Sequence, residues 1–261
     1  MSKAKLAKAF QSAEARNEKA FVSYIMAGDG GLNALKDQLL YLQEIGVTAA
    51  EVGIPFSDPV ADGPVIQEAG KRALAEGVTL KRVLSFLEEY KNSFHIPIVL
   101  MTYLNPVFQY GIEAFAEDSQ KAGVSGVIVP DMPLEEEKEV REALQERELA
   151  LIRLVTLTSP EDRIAQITDG AEGFIYAVTV KGTTGVRNSY QDDVGTYLGQ
   201  IKEKSKIPVL AGFGVSSQEQ AAELGKHCDG VIVGSKIVDL FHQGQKEKIK
   251  ELIPQREART H

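Results

Sequence analysis

Glu51, Asp58 and Asp62 fall in one short stretch, AEVGIPFSDPVADGPVIQ, from Ala50 to Gln67. Glu51 lies inside a run of Ala, Val and Ile. Burial there penalises the charged form and raises the pKa, which suits a group that gives and takes protons near neutral pH. Asp62 lies on a polar loop stiffened by Pro55, Pro59 and Pro64 and is expected to stay ionised. Two carboxylates in contrasting environments are a recurring arrangement for acid–base work. A glutamate in a strand is more often a strand-end charge than a catalyst, and the stiff loop that follows narrows that difference.

A second chemistry is suggested by glycine clusters near the ends of three later apolar runs: Gly182-Thr183-Thr184-Gly185, Gly212-Phe213-Gly214 and Gly234-Ser235. Glycines let backbone N–H groups approach an anion, and a helix start adds partial positive charge. The hydroxyls of Thr184 and Ser235 add donors. Any one cluster is weak evidence, because turns need glycine anyway. Gly212-Phe213-Gly214 is no dinucleotide fingerprint, since the third glycine and the early position are both missing. Tyr24 and Tyr176 come late in apolar runs, where a side chain can face a ligand, although core packing is their default reading. Cys228 reads as a small buried hydrophobe, and the scattered histidines show no metal spacing.

These residues need a scaffold. A helix is expected over 2–16 from Leu6, Phe10 and Ala13, covering one end of the domain. Strands are expected at 21–27, 50–54, 96–101, 126–129, 149–154, 173–180, 207–210 and 229–233. Helices are expected at 32–45, within 74–91, and at 112–122, 134–147, 161–168, 194–204 and 217–224. A short helix over 236–241 and a C-terminal helix over 245–253 follow. The segments 102–111 and 181–193 read as loops, and the Glu135-Glu136-Glu137 run reads as a solvated helix start. Val- and Ile-rich strands without polar alternation imply a parallel sheet buried on both faces. Eight such βα units in 261 residues point to one (β/α)8 TIM barrel spanning 1–261, with an extra N-terminal helix and a short phosphate-site helix.

The formal net charge of −8 argues against a nucleic-acid partner. One cysteine excludes an internal disulfide, and the charged N-terminus and lack of long apolar runs fit neither a signal peptide nor a membrane span. A reducing cytoplasm is the expected compartment.

The pieces GIPFSDPVADGPVIQ, LNPVFQYG, VPDMPLEE, the Gly182–Gly185 loop, AGFGVS and VGS, taken in order, resemble the tryptophan synthase α subunit family over nearly the whole chain. The resemblance implies a lyase that cleaves indole-3-glycerol phosphate to indole and glyceraldehyde 3-phosphate. It implies Glu51 as general acid/base and Asp62 as the partner of the indole N–H. By the same resemblance Tyr24, Met101 and Tyr176 line the indole pocket, and Gly185, Gly214, Gly234 and Ser235 belong to the phosphate site. A pyridoxal-phosphate β subunit is implied as partner in an α2β2 heterotetramer, with Asp58, Asn105 and Pro106 in the interface. No cofactor or metal is implied in this chain. Gly30 stands where many relatives have proline, and Lys181 and Thr183 stand where smaller or apolar residues are common. The glycine clusters alone also allow another phosphate-sugar barrel enzyme, and the barrel alone allows a non-catalytic regulator of a partner. The Glu51–Asp62 stretch favours neither.

Overall fold

Short Val- and Ile-rich strands with no polar face must be covered on both sides, and a barrel wrapped by helices does this. The structure, a computed structural model, describes residues 2–178, 187–212 and 214–254, and of 187–193 the backbone alone. Eight strands close into a parallel barrel in chain order, with β8 pairing back onto β1. They are β1 (Ala20–Met26), β2 (Ala49–Gly53), β3 (Ile98–Met101), β4 (Gly126–Ile128), β5 (Ala150–Thr156), β6 (Ile175–Val178), β7 (Val209–Gly212) and β8 (Gly230–Val233). The helices are α1 (Ser2–Ala15), α2 (Leu32–Glu44), α3 (Pro64–Ala75), α4 (Leu80–Tyr90), α5 (Leu104–Tyr110), α6 (Ile112–Lys121), α7 (Lys138–Glu146), α8 (Glu161–Thr168), α9 (Arg187–Lys204), α10 (Gln218–Gly225) and α11 (Ser235–His242).

Strand alternation sorts the side chains. Val22, Ala49, Val99, Ile128, Ala150, Ile152, Leu210 and Ile232 fill the barrel interior. Their neighbours in sequence, such as Ile25, Val52 and Leu100, pack outward against the helices. The N-terminal helix acts as the expected plug: Leu6 and Phe10 join the interior cluster, and the Phe10 ring meets Phe174 edge-on at 5.6 Å. Above these layers the interior ends in Tyr24, Glu51, Met101, Leu154 and Tyr176.

Several expectations are corrected. The stretch after Gly63 is a helix, with Pro64 in its first turn, where no backbone donor is required. The segment 102–111 likewise contains α5, and Pro106 falls in that helix's first turn. Proline at a helix start is compatible with helix, so neither Pro64 nor Pro106 prevents one. Within 134–147, a 3-10 turn at Leu134–Glu136 precedes α7, and the C-terminal piece Lys246–Leu252 is also 3-10. α9 begins at Arg187, inside the segment read as a loop to residue 193.

The acidic run at 135–137 is not uniformly solvated. Glu135 pairs with Arg163 at the surface, while Glu137 is buried against Arg153 of β5. Arg153 Nε donates to Glu137 at 2.9 Å, and its Nη1 donates to the carbonyls of Ile167 and Asp169 at 2.9 and 2.6 Å. This side chain ties β5 to the start of α7 and the end of α8.

Candidate active site

Glu51 reaches the barrel interior because β2 alternates: Ala50 and Val52 face the helices, while Ala49, Glu51 and Gly53 face inward. Its residue partners in register are Tyr24 on β1 and Val99 on β3. Glu51 is fully buried, and neither carboxylate oxygen has a hydrogen-bond partner among the described residues. Burial, and secondarily the charge of Asp62, push its carboxyl up to about 8. At neutral pH it therefore holds a proton it can give away.

Asp62 departs from expectation. It is half-buried rather than solvated, and burial raises its carboxyl to about 6, against which a hydrogen bond from Tyr103 pulls it down. It remains mostly ionised at neutral pH. The loop that carries it is fixed by Tyr103, whose hydroxyl accepts the Ala61 N–H at 3.0 Å, and by Gln67, whose side-chain amide donates to Asp62 O at 2.9 Å.

Two tyrosines complete the mouth. Burial raises the phenols of Tyr24 and Tyr176, and both are raised further by Glu51 and Asp62, which places the four groups around one space. Each ring lies over a glycine of the neighbouring strand. A Cβ on Gly53 would collide with the Tyr24 hydroxyl, and one on Gly212 would collide with the Tyr176 ring. Glycine is required at both positions by close approach rather than by backbone conformation. Met101 is half-buried at the end of β3, paired with Gly53.

The residues expected at the phosphate site begin beside this space. Gly234 precedes α11, and Ser235 is its exposed first residue. Ile237 and Val238 donate to Gly234 O, so by helix geometry the N–H groups of Ser235 and Lys236 have no intrahelical acceptor. A Cβ on Gly234 would stand 3.5 Å from Tyr24 Cβ, so the helix start and the tyrosine are neighbours. Gly214 has φ +64, a conformation that favours glycine. Thr184, Gly185 and Phe213, like Lys181 and Thr183, lie outside the described residues.

A family model described as tryptophan synthase alpha chain matches residues 10–260. The chain belongs to the tryptophan synthase alpha chain family. It is the alpha component in tryptophan biosynthesis. The alpha chain of Oceanobacillus iheyensis is 52% identical over 253 residues, covering 97% of both chains. That of a Bacillus cereus strain is 51% identical over 243 residues, covering 93% of this chain and 94% of the relative. A tryptophan synthase structure from Mycobacterium tuberculosis superposes with a TM-score of 0.87 at 36% identity, covering 95% of this chain and 96% of that one. The subunit alpha structure from Legionella pneumophila gives 0.85 at 33% identity, covering 94% and 91%.

The residues taken from the sequence thus divide. Tyr24, Glu51, Asp62 and Tyr176 converge, with Met101 and Gly234 beside them. Asp58 is exposed and accepts from Ser57 Oγ at 2.5 Å. Asn105 is exposed and Pro106 half-buried, both on α5 rather than on a loop. Sequence reasoning missed Tyr103 and Gly53, and took Gly212 only as part of an anion-site cluster rather than as room for the Tyr176 ring. The signal for the glycines was their inward-facing position at a strand end beside a strand bearing a tyrosine. Tyr103 had a weaker signal, an aromatic two residues past the end of β3. Gly30 has φ +88, which no proline can adopt, so the β1 loop follows a path closed to a Gly-Asp-Pro sequence.

Proposed function

We propose that this chain is a carbon–carbon lyase that cleaves indole-3-glycerol phosphate to indole and glyceraldehyde 3-phosphate. The observation that carries this reading is the fully buried Glu51, whose carboxyl oxygens have no hydrogen-bond partner among the described residues, with the Asp62 charge acting on it. Glu51 gives its proton to indole C3, and positive charge develops on the ring nitrogen. Asp62 accepts the indole N–H hydrogen bond and stabilises that charge where water is largely excluded. The Glu51 carboxylate then takes the proton of the glycerol hydroxyl on the carbon attached to C3. The C–C bond breaks, its electron pair restores the aromatic ring, and the carbinol becomes the aldehyde. Glu51 ends with its proton restored, so the cleavage closes on the chain's own carboxylates and no cofactor is assigned to it. Tyr24, Met101 and Tyr176 enclose the indole. The start of α11 with Ser235 and Gly234, together with Gly214, holds the phosphate, and Thr184, Gly185 and Phe213 are assigned to the same end by family resemblance.

The partner in this reading is the pyridoxal-phosphate β subunit in an α2β2 assembly. Val60 and Phe108 are among the few large exposed apolar side chains, 83% and 55% exposed. They lie on the loop after β2 and on α5, the elements that carry Asp58, Asn105 and Pro106, where this partner would cover them.

The test is indole release from indole-3-glycerol phosphate by the purified chain, alone and with a β subunit, for the parent and Glu51→Gln. Slow release alone, faster release with the partner, and a loss of at least about a thousandfold in Glu51→Gln are expected. Near-normal turnover in Glu51→Gln would refute the assignment.

A further inference from the structure

Tyr103 is buried and touches the β2–α3 loop at two points. Its ring lies against Phe56 with centroids 5.3 Å apart and planes 31° from parallel. Its hydroxyl accepts from the N–H of Ala61, the residue before Asp62, at 3.0 Å. On its other side it is the residue that starts α5, and the next residue, Leu104, donates its N–H to Asp131 at 2.9 Å. One side chain thus holds the loop by its backbone and by the Phe56 ring, from a base anchored on β3 and on the loop after β4.

We propose that Tyr103 is a positioning residue for the lyase reaction, its ring and hydroxyl fixing the loop that turns Asp62 toward the indole nitrogen. This rests on the assignment of Asp62 to the indole N–H. Asp62 is itself half-buried, and Tyr103 holds the backbone of the residue before it. An acceptor that must meet a charge developing in the transition state acts mainly on kcat, and misplacing it slows turnover more than it weakens substrate binding.

The titratable groups facing Asp62 are Glu51 on β2, Tyr24 on β1, Tyr176 on β6 and Tyr103 itself, while Asp131 faces Tyr103. The three phenols are all raised and stay neutral over the working range, so the acid limb of the rate reports Asp62 and the basic limb Glu51. A donor to the ionised carboxylate lowers its pKa, so removing the donor moves the acid limb to higher pH.

The experiment is a cycle of Tyr103→Phe, Asp62→Asn and the double variant in the full chain, read as kcat, KM and pH profile of indole release, with circular dichroism of each. Phenylalanine keeps the ring against Phe56. In Tyr103→Phe, kcat is expected to fall on the order of tenfold to a hundredfold, KM to change less than about threefold, and the acid limb to rise. In the Asp62→Asn background the same change is expected to lose less than about threefold, since the two residues act as one unit. Equal losses in both backgrounds, or an unmoved acid limb, would overturn the positioning role while leaving that of Asp62 intact. Undiminished turnover in Asp62→Asn alone would overturn both.

Discussion

A glutamate that is neutral in the fold and charged in the unfolded chain makes stability depend on pH in a stated direction. Glu51 is raised from 4.5 to about 8 in the fold, by burial first and by the Asp62 charge second. Between those values the folded state holds a proton that the unfolded state has released. Stability therefore falls as pH rises through this window and levels off above it. Integrating the two titrations gives a loss of about 2–3 kcal/mol between pH 5 and pH 7, and about 5 kcal/mol at the plateau above pH 8. Glu51→Gln has nothing to titrate at this position, so its stability relative to the parent should climb by those amounts. The absolute offset between the proteins does not matter, because only its pH dependence reports Glu51. The assay is urea unfolding followed by far-ultraviolet circular dichroism at pH 5, 6, 7 and 8, since the chain has no tryptophan to serve as a fluorescence probe. A difference that stays flat within about 0.5 kcal/mol over that range, against the several expected, would show that Glu51 does not hold its proton in the fold, and the acid assigned to C3 would fall with it.

Gly53→Ala places a methyl against the Tyr24 hydroxyl, and about 1–3 kcal/mol of stability should be lost together with turnover. In a Tyr24→Ala background, which lacks the hydroxyl and ring carbons that the methyl meets, Gly53→Ala should cost less in thermal melts; an equal cost would mean the clash lies elsewhere. Arg153 and Glu137 are both buried, so Glu137→Ala strands the guanidinium and should lower stability by about 3–5 kcal/mol in urea titrations. Replacing both with Met and Leu should lose much less, and an equal loss would show that the pairing itself, rather than an uncompensated charge, holds β5 to α7.

The barrel was legible because its strands carry the mark of double-sided burial. FVSYIM and GVIV have no polar stripe, and each is followed by a helical period and a closing glycine. Glu51 was legible for the complementary reason, as a charge where that pattern forbids one. The errors cluster at proline and at long-range partners. Pro64 and Pro106 read as breaks because a sequence window does not show whether a proline sits at the start of a helix or within it. Glu137 read as solvated because its partner, Arg153, lies on the next strand and its run began with two exposed glutamates. Tyr103 could not be assigned for the same reason: what makes it matter is the loop after β2, brought beside it only when β2 and β3 pair.

The two carboxylates are also less different than their local sequences imply, and this bears on how the site orders its protons. Asp62 is lifted to about 6 by partial burial and Glu51 to about 8 by full burial. The separation is sustained by two interactions the sequence does not show. Tyr103 donates to Asp62 and favours its charge. That charge in turn disfavours ionisation of Glu51 across the barrel mouth. As pH rises, Asp62 loses its proton first, and its loss helps Glu51 keep its own. The state in which one group is a neutral acid and the other a carboxylate is then the dominant state between about pH 6 and pH 8, where an acid for C3 and an acceptor for the ring nitrogen are needed at once.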